Sequence, residues 1–250
     1  MNYPVKILFI IDCYKNPYAG TEGQLLKLIQ GLDKDRFEAT FVVFRGSEYL
    51  KKNDFPIPVE VMNIQHLSSP LNWLKLFRYF FRKKVERYNI AHIFFNDASM
   101  ISPLLLKTLG YKVIISRRDM GYWYTRLNLR LLRINAFFVD RVITNSEAVK
   151  RITMSQEGYK PDRVTVIYNG YQESVGSDLD NANNVALDDN EIRIALVANI
   201  RPIKRIADAI YALKIVQDSI SKVVLYVVGD GDQSQLLELT EELHVGLSVR

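Results

Sequence analysis

The sequence predicts an α/β fold made of two tandem Rossmann-like domains with mostly parallel sheets, the second incomplete. Three observations carry this reading. Short apolar runs alternate with stretches of helical periodicity along the 250 residues, and such alternation lays helices on both faces of a parallel sheet. Several runs, Ile7 to Ile11 among them, are apolar without a polar alternate, as a strand covered on both faces requires. The composition then breaks. No Lys or Arg occurs between Arg163 and Arg193, residues 174–190 are rich in Ser, Asp, Asn and Gly, and alternation restarts at Ile192. The chain therefore divides into a first domain at 1–172, a surface linker at 173–190 and the front half of a second domain at 191–250.

In the first domain, strands are expected at 5–11, 39–44, 59–62, 92–95, 113–116, 141–144 and 164–167. Helical periodicity fills 23–32, 71–88, 99–109, 123–134 and 146–154. In the second, 192–197 reads as a buried strand leading into a turn and a basic helix start, and 223–228 as its neighbour, ending in Gly229-Asp230-Gly231. Typical domains run to roughly 100–150 residues, so this second domain is expected to stop short.

Composition excludes several classes of function. A hydrophobic share of 48% with 24% charged residues is that of a globular protein. The net charge of +5 suits an anionic ligand or an anionic membrane surface, and is too mild for a nucleic-acid binder. A single cysteine, Cys13, rules out an intramolecular disulfide and a Cys-rich zinc site, and fits a reducing, cytoplasmic setting. No signal peptide is apparent, and no apolar run reaches the roughly 20 residues that span a bilayer. His66, His92 and His244 are far apart in sequence and are read as buried or surface residues.

Four places carry candidate chemistry. The loop after the first strand contains Gly20-Thr21-Glu22-Gly23-Gln24. Thr21 and Gln24 have the spacing of a capping box; equally, free N–H groups at a helix start flanked by glycines form an anion site. The GxGxxG dinucleotide signature is absent there. Arg201 and Lys204 follow the first strand of the second domain, at the strand end where open α/β sheets bind ligands; a solvated basic turn is the alternative. Gly229 and Gly231 follow its second strand and permit a tight turn or close approach of backbone to a ligand. The Asp-x-Asp spacing at Asp230 and Asp232 recurs at Asp33 and at Asp178, so it identifies no metal site.

In the first domain, Arg117, Arg118 and Asp119 close one strand, and Asn96 and Asp97 close the one before it. Two arginines at a strand's carboxyl end point to a cleft with Asp119 orienting one of them, or to a structural ion pair. Asp97 is also placed to cap the next helix. The helix at 71–88 carries an apolar stripe of Leu74, Phe77, Phe81, Val85 and Tyr88, widened by Trp73, Leu76 and Phe80, beside many basic residues. That stripe is read as the face packed on the sheet, with contact between the helix and anionic lipid as the alternative.

Taken in order along the whole chain, these residues resemble family 4 of the GT-B glycosyltransferases, which are retaining enzymes that use nucleotide sugars. The resemblance rests on Ala19-Gly20-Thr21-Glu22, on the segments 140–149 and 164–170, on 197–204 and on Val228-Gly229-Asp230-Gly231. It implies that Gly20 and Thr21 lie beside the donor phosphates and that Lys204 is the diphosphate-binding lysine. Arg201 stands in for the arginine that the family often carries where this chain has Ala198-Asn199. Arg118 takes the place of a histidine common in the first-domain cleft. The family's donor-gripping Glu-x7-Glu region would lie beyond Arg250.

The expected function is transfer of a hexose-type sugar from a nucleoside diphosphate sugar to a hydroxyl of a glycan or lipid-linked acceptor, with retention of configuration. Catalytic roles fall to Arg118, Asp119, Arg201 and Lys204. Donor phosphates are assigned to Gly20, Thr21, Arg201, Lys204, Gly229 and Gly231, and the acceptor side to Asn96, Arg117 and Arg118. No metal or other cofactor is expected, because protein cations stabilise the leaving diphosphate. The expected setting is cytoplasmic, at the inner face of the plasma membrane, in polysaccharide assembly. The alternative is a non-catalytic chain that binds acceptor or membrane and needs a partner for its donor site; the 250 residues alone are expected to be inactive.

Overall fold

Strand β1 (Val5–Cys13) is an interior strand of the first sheet, and its apolar run is explained by burial on both faces. In a computed structural model describing residues 4–170, 191–220 and 222–250, Leu8 and Ile10 join one core and Ile7, Phe9 and Ile11 the other. The chain forms two units, Met1–Gln172 and Glu173–Arg250. The linker expected at 173–190 lies outside the described residues.

Seven parallel strands make the first sheet, in the order β3-β2-β1-β4-β5-β6-β7. The remaining strands are β2 (Phe37–Arg45), β3 (Val59–Val61), β4 (Tyr88–Ile93), β5 (Lys112–Arg117), β6 (Arg141–Thr144) and β7 (Val164–Val166). The order reverses at β1 and β4, the topological switch point whose carboxyl ends form a natural crevice. Helix α1 (Gly20–Gln30) covers one face through Leu25 and Ile29. A short α2 (Glu48–Lys52), absent from the sequence reading, is capped by the Ser47 hydroxyl.

On the other face lie α3 (Pro70–Val85), α4 (Asn96–Thr108) and α5 (Arg126–Asn135), with α4 packed between its neighbours. Here the structure corrects the sequence reading of the 71–88 helix in part: Leu76 and Phe80, at the widened edge of the stripe, are buried, but the stripe's helical centre is not. Leu74, Phe77, Phe81 and Val85 are exposed, whereas Leu76, Tyr79, Phe80 and Lys83 are buried. Tyr88 is buried but belongs to β4. Apolar residues occur on both sides of this helix, and the sheet takes the side that also carries Lys83. That ammonium is neutralised by Glu60 at 2.7 Å and Glu86 at 2.9 Å. Helix α6 (Glu147–Glu157) completes the unit, capped by the Ser146 hydroxyl and ended by Gly158 in the left-handed region.

The second unit pairs β8 (Ile192–Val197) with β9 (Val223–Val228) in parallel. Helices α7 (Ile206–Gln217) and α8 (Ser234–Glu242) pack with Val223, Leu225 and Leu196 into one small core. The strand expected to be buried, β8, is largely exposed: Ile192, Ile194 and Val197 face solvent among the described residues. Leu196 packs against the helices, and among the described residues β9 is the one strand paired with β8.

Candidate functional site

At the carboxyl edge of the first sheet, the turn from β4 into α4 is held by a carboxylate that sequence reasoning missed. Asp12, at the end of β1, accepts the backbone N–H groups of Asn96, Asp97 and Ala98 at 3.1, 2.9 and 2.6 Å. It caps α4 from the adjacent strand β1, far away only in sequence, a task the sequence reading gave to Asp97. Asp97 instead pairs with Arg45 at 2.7 Å. Burial lifts the Asp12 carboxyl to about 6, against the pull of those N–H groups. Phe95 at the same turn has φ 64°, a left-handed conformation that costs a non-glycine residue energy and clusters at functional turns. Asn96 is thereby fixed at the first position of α4, half-buried.

The two adjacent arginines separate. Arg117 is not available to an acceptor: it is 5% exposed and forks onto Glu157 through Nε at 2.7 Å and Nη2 at 2.8 Å, with Nη1 on the Ser99 hydroxyl. Successive residues of a strand point to opposite faces, so Arg117 enters the helix layer while Arg118 turns the other way. Arg118 donates from Nη1 to Asn169 Oδ1 at 2.6 Å, and its guanidinium lies 6.0 Å from the Phe94 ring. Its Nε has no partner among the described residues, and burial lowers its pKa. Among the described residues Asp119 pairs with neither arginine; it is exposed and accepts the Gly121 N–H at 2.7 Å, shaping the turn that follows.

Arg118 lines a depression of about 820 Å³ together with His92, Ser116, Gln24 and Tyr168. His92 is buried, with Nε2 2.9 Å from the Ser116 hydroxyl. Burial, then the Arg118 charge, push its pKa down to about 3, so it stays neutral. Gln24 donates to the Gly170 carbonyl at 3.0 Å and ties α1 to the segment that follows β7. The capping box does not form. Helix α1 begins at Gly20 with Ala19 at the cap and no side-chain cap, and Thr21 lies inside the first turn. Gly23 is required by packing, since a Cβ there would meet the Pro17 carbonyl at 2.5 Å; Gly20 has nothing within 4 Å.

In the second unit, the carboxyl ends of β8 and β9 lie side by side. Ile200 N–H reaches the Asp230 carbonyl at 2.7 Å. A Cβ on Gly229 would lie 2.0 Å from the Ala198 carbonyl, and one on Gly231 2.5 Å from the Ile200 carbonyl. Both glycines are thus needed for this close approach, whatever else they do. Arg201 lines a depression of about 510 Å³ with Arg205, the start of α7 and Asp232. Lys204 is exposed at the end of a 3-10 turn, Pro202–Lys204, and is not part of that lining. Arg205, in the left-handed region at φ 52°, pairs with Asp208 at 2.5 Å. Arg201 is thus a cation set directly at the strand-end depression, beside Arg205, whose charge Asp208 answers.

The family model for Glycosyltransferase Family 4 matches residues 18–174, more than half of the chain. The chain belongs to this glycosyltransferase family. No curated protein matches it in sequence. Among solved structures, this glycosyltransferase is similar to Anabaena Alr3699/HepE in complex with UDP, at TM-score 0.75 and 22% identity over 98% of this chain and 68% of that one. A glycosyltransferase from Rickettsia africae matches at TM-score 0.75 and 15% identity, over 100% of this chain and 68% of that one. The lipopolysaccharide outer core galactosyltransferase WaaB matches at 0.71 and 15%, over 98% and 67%. The fold is therefore of the GT-B type, with the seven-stranded sheet as its first Rossmann-like domain and a small second sheet. Among the described residues, no helix is long and apolar enough to cross a membrane.

Proposed function

We propose that this glycosyltransferase moves a hexose-type sugar from a UDP-sugar to a hydroxyl of a glycan or lipid-linked acceptor, with retention of configuration. The observation that carries the reading is Arg201, set in the depression where β8 gives way to α7, in a fold whose HepE relative is complexed with UDP and with UDP-glucose. When the bond between the sugar and the diphosphate breaks, negative charge grows on the leaving oxygen. Preorganised cations aimed at that charge lower the barrier. Arg201 and Lys204 supply them, and in this scheme they do the work of a divalent metal. In the first unit, Arg118 and Asn96 are the acceptor-side groups. Arg118 is held by Asn169 and keeps one N–H without a partner among the described residues. The lipopolysaccharide acceptor named for WaaB supports a lipid-linked acceptor, and with it a place at the inner face of the plasma membrane.

The test is calorimetric titration of the chain with UDP. Hydrogen bonds to charged groups are worth roughly 1.5–3 kcal/mol, so Arg201→Ala and Lys204→Ala should each weaken binding by about ten- to a hundredfold. Unchanged affinity in both variants would remove the donor assignment.

A further inference from the structure

Arg118 carries a charge that no carboxylate answers among the described residues. Two other arginines at the same edge of the sheet, Arg45 and Arg117, pair with Asp97 and Glu157. Arg118 makes one hydrogen bond, from Nη1, and its partner is the neutral amide of Asn169. The next residue, Asp119, is taken up by the Gly121 N–H. The guanidinium is half-buried, and its Nε is buried without a partner among the described residues.

The depression that Arg118 lines deepens the imbalance. Lys27 lines it as well, and no Asp or Glu does. Much of its floor is apolar, with Phe9, Ile114 and Ile143. Walls of low dielectric focus the field of a charge on the space between them. Holding a guanidinium there costs energy unless an opposite charge arrives. Its planar fork matches the paired oxygens of a carboxylate or a phosphate.

Asn145 adds a second requirement. It directly follows β6, which is paired with β5 up to Arg117 and Thr144. Its Nδ2 reaches the Arg118 carbonyl at 3.4 Å. Its Oδ1 is buried and accepts nothing among the described residues. Buried polar atoms are nearly always paired, so an orphan acceptor beside an unanswered cation marks a place for a ligand. A neutral sugar could donate a hydroxyl to Asn145, but it would leave the guanidinium without a counter-charge. Bare phosphate would do the reverse. A sugar that carries its own negative charge meets both needs.

We propose that the acceptor is an anionic sugar, a glycan residue whose phosphate or carboxylate is bound by Arg118 while one of its hydroxyls donates to Asn145. This rests on the acceptor-side reading of Arg118. It narrows the acceptor to one with a charge near the receiving hydroxyl, and it makes Asn145 a specificity-determining residue.

The experiment follows the Arg118 Nε–H resonance by NMR of the nitrogen-labelled full chain, the resonance being identified by its loss in Arg118→Gln. The probes are glucose 6-phosphate, glucuronate and the neutral methyl glucoside. Both anions should move the resonance and bind roughly tenfold or more tightly than methyl glucoside, the weight of a hydrogen bond to a charged group. Arg118→Gln should abolish that preference. Asn145→Ala should weaken both sugar anions several-fold and leave inorganic phosphate unchanged. The tighter of the two anions tells whether the charge is a phosphate or a carboxylate. If Arg118→Gln lowers the melting temperature, Arg118→Lys replaces it. That variant keeps the charge, loses the fork and should weaken both anions several-fold. Equal affinity for all three sugars, a parent resonance that neither anion moves, or anion binding unchanged in the Arg118 variant would overturn the proposal. So would loss of UDP binding in Arg118→Gln, which would place the guanidinium on the donor's diphosphate. Sugar-anion binding that persists in a chain that binds no UDP removes the donor assignment and leaves the sugar-anion site standing.

Discussion

Replacing Glu157 with glutamine should destabilise the first unit strongly, because it strands a buried cation. Glu157 has no exposed surface and Arg117 is 5% exposed. Two N–H groups of Arg117 reach its carboxylate at 2.7 and 2.8 Å, and the Tyr124 hydroxyl donates to it as well. In the parent, burial works against the Arg117 charge but the Glu157 carboxylate outweighs it and raises the pKa; the variant loses that support, and Arg117 keeps its charge because a guanidinium is not deprotonated in proteins. Removing one partner of a buried pair costs about 3–5 kcal/mol. For a unit of this size each kcal/mol lowers the melting temperature by about 2–4 °C, so Glu157→Gln should melt roughly 6–20 °C lower. Replacing both partners, Arg117→Leu with Glu157→Leu, should recover most of the loss, since no buried charge remains. Urea unfolding followed by tryptophan fluorescence suits the test. The two tryptophans, Trp73 and Trp123, both lie in the first unit, and the Arg117 guanidinium sits 5.9 Å from the Trp123 ring. A cost below about 1 kcal/mol would mean that Arg117 reaches water when released, and would return it to the list of acceptor-side candidates.

Two buried groups give opposite pH signatures. The folded-state pKa of Asp12, about 6, lies above its ordinary value, so it makes stability fall as pH rises from about 4 to 6, by roughly 3 kcal/mol. The folded-state pKa of His92, about 3, lies below its ordinary value, so stability is lost as pH falls from about 6.5 towards 3. Urea titrations between pH 4 and 6.5 should therefore show a steeper acid loss in Asp12→Asn than in the parent, and a shallower one in His92→Gln; the same slope in all three would refute both assignments. Among the glycines, Gly229→Ala forces a Cβ to within 2.0 Å of a backbone carbonyl and should open the second unit by about 1–3 kcal/mol or more, seen as faster amide exchange in β8 and β9. Gly20→Ala has free space and should leave the melting temperature nearly unchanged.

The sequence by itself determined the α/β class, the places of most strands and the family, while β4 lies at Tyr88–Ile93 rather than at 92–95. Each depends on local pattern: β1 is apolar at consecutive positions because both faces are buried, and β6 and β9 occupy the very residues that their apolar runs mark. The candidate positions Arg118, Asn96 and Arg201 were legible for a related reason, since ligands gather at strand ends and strand ends can be read. What the sequence left open is which way a residue faces when both ways are chemically sensible. Arg117 and Arg118 are neighbours of one type, and only the pleat of β5, with Glu157 waiting 40 residues on, makes the first structural and leaves the second at the depression. Helix α3 has two apolar sides, and the sheet buries the one whose lysine finds Glu60. The Asp12 cap joins residues 84 to 86 positions apart, and no periodicity reports such a pair. Tertiary structure decided these cases because burial, charge neutralisation and capping are settled by partners brought together only when the sheet assembles.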